Sequence, residues 1–277
     1  MIENIAVNKA IDYILDHIGD DLSVEEVASH CNLSVFHFCR LFKRQTGEGI
    51  HQFIKREKME QSAFRLKTEK RSITDIALDY GYSSSNFSSS FHDHLHLSPA
   101  AFRKGCGERS IAHPFFKGEG KQVLDSYEEC CSKTTLETLP VFRVVYERRK
   151  GTYLHLGDDW DDFIGRYQSY LTDRTLFIER TFDDPSITET DSCLYDICMT
   201  VGADCPLQNV CTLDGGLFAV RSYEGKPEGI YAAYQSLFNV WLPQSGHSVD
   251  ERYGFVIYRS VDCATREMSL DICIPVR

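Results

Sequence analysis

The chain has 277 residues, of which 42% are hydrophobic and 26% are charged, a balance typical of a folded globular protein and unlike that of a disordered one. Its eleven cysteines include no CxxC pair, so their spacing does not support a zinc site or a disulfide framework, and we expect neither a metal nor a cofactor. The N-terminus lacks a basic segment followed by an apolar one, and no apolar run approaches the about 18 residues of a membrane span, so we expect a cytoplasmic protein that does not use a membrane.

The net charge of −11 is distributed unevenly along the chain. Residues 1–110 carry 14 Lys and Arg against 15 Asp and Glu, whereas residues 111–277 carry 16 against 26. The basic side chains of the first part cluster between Arg40 and Lys58, as a surface that binds phosphates requires. The overall acidity therefore does not exclude a nucleic acid as a partner of the first part.

The first predicted elements are three helices, and a glycine ends the third. Residues 5–18 carry apolar side chains at helical spacing and form an amphipathic helix. Ser23 and Glu26 form a capping box at the start of the next helix, and Ser34 caps a third helix that Gly47 ends. The outward side of this third helix carries Val35, Phe36, Cys39, Arg40, Lys43 and Arg44.

A second unit of the same kind follows a long helix. Residues 50–66 contain neither glycine nor proline and can form one helix of about 25 Å at 1.5 Å per residue. Ser72 and Asp75 repeat the cap arrangement, Gly81 permits the turn, and residues 98–99, Ser-Pro, predict a last short helix. The outward side of the second helix of this unit carries Ser84, Ser85, Asn86 and Ser89.

These two helix-turn-helix units resemble the DNA-binding domain of AraC/XylS-type transcription regulators. The matching positions are Leu22-Ser23, Val27-Ala28, Ser34, Phe38, Arg40-Leu41-Phe42-Lys43 and Thr46-Gly47 in the first unit, and Ile73-Thr74-Asp75-Ile76-Ala77, Gly81-Tyr82, Phe87, Phe91, Ser98-Pro99 and Phe102-Arg103 in the second.

The resemblance implies a sequence-specific transcription regulator that is not an enzyme. Its two recognition helices would enter successive major grooves of double-stranded DNA, which lie about 34 Å apart. By family analogy it would bind as a monomer, and RNA polymerase is a further candidate partner. The DNA-binding residues that the resemblance implies are Ser34, Phe36, His37, Cys39, Arg40, Lys43, Arg44, Ser84, Ser85, Asn86, Ser89 and His92.

Two features of the second unit depart from the family pattern. Ser89 stands where the family usually has arginine, and the segment 81–91 is one residue shorter than the common pattern. An arginine can bind guanine in a bidentate manner, which contributes about 1–3 kcal/mol of discrimination, whereas serine contacts are ambiguous. We therefore expect Arg40 and Phe36 to set most of the sequence specificity, with Asn86 adding an adenine contact.

The first part ends in a segment with no hydrophobic period. Residues 105–121 contain four glycines and Pro114, which is typical of an interdomain connection. Residues 122–133 are either a short helix or the lead-in to a strand. We expect a DNA-binding domain over residues 1–108, a linker over 109–133 and a second domain over 134–277.

The second domain contains a strand-helix-strand-strand pattern twice. The first copy comprises a strand at 142–146, a helix with Trp160, Phe163, Ile164 and Tyr167, and strands at 176–178 and 193–201; the second comprises a strand at 217–220, a helix at 230–241, and strands at 254–258 and 268–275. This duplication predicts an α+β domain with a mainly antiparallel sheet, helices on one side and a cleft along the pseudo-twofold axis. The whole chain is thus multidomain, with an all-α first domain.

The second domain resembles the GyrI-like small-molecule-binding domain. The matching pieces are Leu139-Pro140, Val144, Asp184-Pro185, Tyr195-Asp196-Ile197-Cys198, Gly215-Gly216, Ala219-Val220, Gly225, Trp241-Leu242-Pro243, Asp271-Ile272 and Ile274-Pro275-Val276. Together with the first domain, it resembles the Rob-type architecture of regulators. The resemblance implies that a small, often cationic aromatic, effector binds in an aromatic cleft that contains an acidic residue.

About three of eight aromatic side chains are expected to line this cleft, namely Tyr146, Tyr153, Trp160, Tyr195, Phe218, Trp241, Phe255 and Tyr258. Val256 departs from the family pattern, because a glutamate often occupies its place. Glu147, Asp196 and Glu267 are the candidate replacements, and the sequence does not select among them.

Two other functions stay open for the second domain. It could be a protein-interaction module, or it could hydrolyse reactive electrophilic compounds, as the family resemblance also implies, with an acid paired with a tyrosine. The absence of the glutamate at Val256 argues against the hydrolase.

Overall fold

The computed structural model describes residues 1–106, 108, 110–115 and 121–277. The chain divides into two compact units, Met1–Cys106 and Gly107–Arg277. In the part of the chain that is described, no helix combines the length and the apolar character that crossing a membrane would need.

The first unit consists of seven helices: α1 (Ile5–Asp16), α2 (Val24–His30), α3 (Val35–Thr46), α4 (Ile50–Thr68), α5 (Ile73–Asp79), α6 (Ser84–Leu95) and α7 (Pro99–Gly105). The expected caps are present: Ser23 and Glu26 form the capping box of α2, and Ser34 accepts the backbone N–H of His37. Gly47 ends α3 with a φ of 81°, a left-handed conformation that glycine adopts without a steric penalty. The two predicted helix-turn-helix units, α2–α3 and α5–α6, are confirmed.

The helix between these units is continuous. α4 has 19 residues, which corresponds to about 28 Å at 1.5 Å per residue. Its buried Phe53 packs edge-on against Phe42 of α3, with ring centroids 5.3 Å apart. Aromatic pairs of this kind stabilise a fixed arrangement of neighbouring helices, so α4 is anchored to the first unit's recognition helix.

The second unit contains β1 (Ser110–Ile111), β2 (Gln122–Val123), α8 (Tyr127–Lys133), β3 (Thr134–Leu139), β4 (Phe142–Lys150), α9 (Leu156–Tyr167), β5 (Phe177–Thr181), β6 (Leu194–Thr200), β7 (Val210–Leu213), β8 (Gly216–Gly225), α10 (Pro227–Ser236), α11 (Leu242–Ser245), β9 (Phe255–Val261) and β10 (Met268–Pro275). A 3-10 turn at Tyr153–His155 leads into α9, and a π-helical turn at Leu237–Trp241 joins α10 to α11.

Eight of these strands form one sheet in the order β3-β8-β10-β9-β5-β6-β4-β7, and its described pairs are all antiparallel. The predicted duplication is confirmed as β4-α9-β5-β6 and β8-α10-β9-β10. The two repeats meet where β5 pairs with β9, so these strands lie at the centre of the sheet.

The sequence did not predict the two edge strands of the sheet, β3 and β7. Most residues of β3 are exposed, so it lacks the apolar alternation by which a half-buried strand is recognised. The segment 109–133, interpreted as a linker, contains β1, β2 and α8, and the structure places them in the second unit.

The helices of the second unit pack on one face of the sheet, as expected, and the opposite face is strongly concave. Phe142 on β4 and Phe255 on β9 are three strands apart, which is about 14 Å in a flat sheet. Their ring centroids are nevertheless only 5.9 Å apart. The concave face therefore closes on its own apolar core and leaves the helical face for a binding site.

Candidate nucleic-acid interface and candidate effector site

The outward face of α3 combines a ring with three cations. Phe36 is 73% exposed, and the guanidinium carbon of Arg40 lies 5.6 Å from the centroid of its ring. Lys43 and Arg44 are also exposed on α3, whereas Cys39 is half-buried. Exposed cations on a helix can contact phosphates and base edges, so this face has the chemistry that DNA binding needs.

The outward face of α6 is polar and carries no Lys or Arg. Phe87 and Phe91 are buried on its inner side. The Ser84 hydroxyl donates to Thr74 Oγ1 at 3.3 Å, which ties the start of α6 to α5. The predicted DNA-binding residues of this unit, Ser84, Ser85, Asn86, Ser89 and His92, are all exposed. Ser34 and His37 of the first unit are exposed as well, and the roles of all these residues in DNA binding stay predictions.

A single buried carboxylate lies at the centre of the second unit's sheet, on the helical face. Glu179 of β5 is 5% exposed, and its cross-strand partner on β9 is Val256. The hydroxyl of Tyr258 donates to Glu179 Oε2 at 2.7 Å. Burial raises the pKa of Glu179 to about 7, although the hydrogen bond from Tyr258 opposes this shift. A buried acid thus lies directly across from Val256, on the neighbouring strand.

Five side chains surround this carboxylate and form what we call the central aromatic cluster: Tyr153, Trp160, Tyr195, Tyr234 and Tyr258. The rings of Tyr153 and Tyr195 stack with centroids 4.4 Å apart, and Trp160 packs edge-on against Tyr258 at 5.5 Å. Burial raises the pKa of Tyr195 and of Tyr234, so both hydroxyls stay neutral at physiological pH. The cluster thus surrounds Glu179 with neutral rings, and at its edge the hydroxyl of Tyr195 donates to Asp159 Oδ2 at 3.4 Å.

Two buried polar atoms of the cluster are poorly satisfied. Among the described residues, neither Trp160 Nε1 nor the Tyr234 hydroxyl makes a well-formed hydrogen bond, although Tyr258 and Thr181 lie nearby. Buried polar groups in native proteins are normally paired, and exceptions are frequent at binding sites. Both atoms could be satisfied by a bound molecule.

The structure brings together four of the predicted effector residues, Tyr153, Trp160, Tyr195 and Tyr258, and separates the others from them. Tyr146, Phe218 and Phe255 belong to the core of the concave face. Trp241 is buried in the core under the helices and stacks on His247. Glu267 is exposed just before β10. We therefore remove these five residues from the candidate site.

The two other acids proposed as replacements are already paired with arginines. Glu147 Oε2 lies 2.9 Å from Arg149 and 2.7 Å from Arg166. Asp196 lies on the concave face, where Arg148 binds it at 2.8 Å. Burial raises the pKa of Asp196, but Arg148 and a second arginine outweigh this effect and lower it. Neither acid is available to a cationic effector at the central aromatic cluster.

Glu179 was missed by reasoning from the sequence, although a signal for it existed. It directly follows the apolar run 176–178, which was predicted as a strand, and alternation places it on the same side as Phe177. In the duplicated plan this strand corresponds to the one that carries Val256. A charged residue at an inward position of a buried strand is costly unless it has a function or a partner.

Comparisons with known proteins agree with the two units. The model of the GyrI-like small molecule binding domain matches residues 132–277, and a helix-turn-helix domain model matches residues 27–105. PocR of Salmonella typhimurium is 37% identical over 109 residues, which cover 39% of this chain and 35% of PocR. MarA of Escherichia coli is 30% identical over 113 residues, which cover 40% of this chain and 89% of MarA.

The matches cover only part of the length of several relatives. This chain spans about a third of PocR and about a sixth of the regulator SACOL0084 of Staphylococcus aureus, to which it is 34% identical over 129 residues. Among solved structures, the C-terminal domain of EcmrR covers 52% of this chain and 96% of its own, with 15% identity and a TM-score of 0.45. The C-terminal domain of AraT from Geobacillus stearothermophilus covers 37% and 86%, with 29% identity and a TM-score of 0.36.

Proposed function

Because this chain belongs to the family of the GyrI-like small molecule binding domain and carries an AraC-type helix-turn-helix domain in front of it, we propose that it regulates transcription in response to a small cationic aromatic effector. The first unit would bind double-stranded DNA as a monomer, since both recognition helices belong to one chain. The second unit would bind the effector at the central aromatic cluster.

The observation that carries the effector proposal is the environment of Glu179. Among the described residues it forms no ion pair, and its one hydrogen bond comes from a neutral tyrosine. Aromatic faces attract cations, by about 2 kcal/mol or more when water is excluded. A buried carboxylate gains most from a partner of opposite charge. A flat or multi-ring cation would satisfy both features at once.

The DNA proposal is supported by the charge of α3 and by the continuous helix α4. Phosphate contacts release counterions, so affinity for DNA should fall steeply with salt. A flat response to salt would contradict a role for Arg40, Lys43 and Arg44 in contacting the backbone.

The test is to select duplexes from a random pool with the whole chain and to footprint the selected site with and without tetraphenylphosphonium. We expect protection of two neighbouring major grooves on one side of the duplex and a change in affinity when the cation is added. Failure to select any sequence would overturn the regulator proposal, whereas a selected site whose occupancy ignores a range of aromatic cations would overturn only the effector proposal.

A hydrolase is the second candidate function, because the pair that it needs is present. Glu179 and Tyr258 are joined by a 2.7 Å hydrogen bond, and the pKa of Glu179 is raised by burial to about 7, near the optimum for proton transfer at neutral pH. The absence of glutamate at Val256 therefore no longer argues against catalysis. Turnover of a reactive electrophile that is lost in both Tyr258→Phe and Glu179→Gln would support it, and absence of turnover with a panel of such compounds would exclude it.

A further inference from the structure

A short segment ahead of the sheet contacts both repeats of the second unit. We call residues 111–115 the strap. Ile111 pairs with Gln122 in the β1–β2 ladder and packs against the core under α10. The Gln122 side chain donates to the backbone oxygen of Glu228 at the start of α10, at 2.8 Å. The strap is therefore fastened to the second repeat.

The other end of the strap reaches the first repeat. His113 is 6% exposed, and its ring lies 5.2 Å from that of Tyr231 on α10. The backbone N–H of Phe115 donates to His113 Nδ1 at 3.1 Å, which holds the turn between them. Phe115 then packs edge-on against Tyr153, with ring centroids 5.3 Å apart. Since Tyr153 belongs to the central aromatic cluster, the strap bridges the helical sides of the two repeats.

We propose that the strap competes with the effector, so that binding at the central aromatic cluster requires Phe115 to leave Tyr153. This inference rests on the proposed effector function. Glu179 is enclosed by rings, and a multi-ring cation reaches it only if one of the surrounding contacts opens. Among the described residues, Phe115 is the aromatic side chain from outside both repeats that contacts the cluster, so its release leaves the sheet and helices intact.

The strap also follows the first unit closely in the sequence. The strap begins at Ile111 and the first unit ends at Cys106. The strap therefore belongs to the stretch of sequence that comes directly after the first unit. The two states differ in which group packs against the ring of Tyr153: Phe115 without effector, and the effector itself when bound. Such an exchange biases a two-state equilibrium by the difference in affinity for the two states.

The test compares Phe115→Ala with Val123→Ala in the full chain, by calorimetric titration with tetraphenylphosphonium. Val123 lies on the same hairpin but is 78% exposed, so it serves as the matched control. Removing the competing ring should tighten binding about tenfold, which corresponds to about 1.4 kcal/mol. Val123→Ala should bind as the parent does. Weaker or unchanged binding in Phe115→Ala would overturn the competition.

A second measurement does not depend on the probe. In a Trp241→Phe background the fluorescence of Trp160 reports on the cluster alone, since the chain has two tryptophans. If the strap covers the cluster, Phe115→Ala should increase acrylamide quenching of Trp160 by about twofold, as expected when a local covering contact opens. Unchanged quenching would show that the strap does not cover the cluster, even if no cation bound. Increased quenching without cation binding would support the covering role of the strap and overturn the effector proposal.

Discussion

The two units of this chain use charge in opposite ways. The first presents Arg40, Lys43 and Arg44 on the exposed face of one helix, where water and salt screen them. The second keeps Glu179 inside a cluster of rings, where burial raises its pKa to about 7. An exposed charge acts at long range and depends on ionic strength, whereas a buried one acts at contact range and depends on pH.

This contrast shows which kind of site can be identified from the sequence and which requires the tertiary structure. A DNA-binding surface on one helix is formed by residues that are close in sequence. A buried acid obtains its properties from side chains on several strands and helices, so its role depends on the tertiary structure. The contrast can be tested first at the buried charge.

The largest effect is expected from Glu179→Gln. This change keeps the shape of the side chain and removes the charge, and a cationic effector then loses its only buried carboxylate partner among the described residues of the cluster. Affinity for tetraphenylphosphonium should fall about 100-fold, or about 3 kcal/mol. Glu267→Gln is the matched control, since Glu267 is exposed and should not affect binding. Equal losses in both variants would show that overall acidity, not Glu179, attracts the cation.

The first unit should respond most strongly to Arg40→Ala. A bidentate contact to guanine contributes about 1–3 kcal/mol, so discrimination between the selected duplex and a scrambled one should fall about 30-fold. Lys70→Ala is the control, because Lys70 is an exposed cation outside α3. If Arg40→Ala, like Lys70→Ala, weakened binding of the selected and the scrambled duplex equally, Arg40 would act as a general phosphate contact. In that case α3 would not recognise the sequence through Arg40.

The comparison also predicts a pH dependence confined to the second unit. Because burial raises the pKa of Glu179 to about 7, the acid is largely neutral below that pH and ionised above it. A cation binds the ionised form, so affinity should rise with pH and should differ about tenfold between about pH 6 and about pH 8.

The control for this pH profile is Glu179→Gln, whose affinity should not vary with pH. Burial raises the pKa of the surrounding tyrosines and lowers that of His113, so both shifts are directed away from neutral pH. A pH profile that persists in Glu179→Gln would assign the titration to another group.

The sequence predicted the first unit almost completely, because local signals determine its helices. Serine caps, the glycine at Gly47 and the apolar spacing of α3 each act within a few residues. The second unit was predicted in plan, since the duplication is visible, but the edge strand β3 is mostly exposed and the edge strand β7 has only four residues, so neither carries a clear signal.

The effector site could be predicted only in part. Four tyrosine and tryptophan residues were identified, but alternation alone does not show which face of a sheet becomes the core and which becomes a site. Tyr146 and Phe255 have the residue types of a cleft and yet face the concave side. Glu179 lies beside Val256 through a cross-strand register that depends on the pairing of β5 with β9. That pairing joins residues far apart in sequence.

The smallest effect is expected at Ser89, and it compares the two recognition helices directly. Ser89 is exposed on α6, which has no Lys or Arg, and a serine hydroxyl does not distinguish one base pair from another. Ser89→Ala should therefore change affinity for the selected duplex by less than about twofold, while Ser89→Arg should strengthen binding about tenfold if a guanine lies within reach. Both affinities are measured by titrating the same duplex with each variant. If Ser89→Ala abolished discrimination while Arg40→Ala preserved it, the expected contributions of the two helices would be reversed. The sequence would then be recognised mainly by α6, which has no Lys or Arg, instead of by α3.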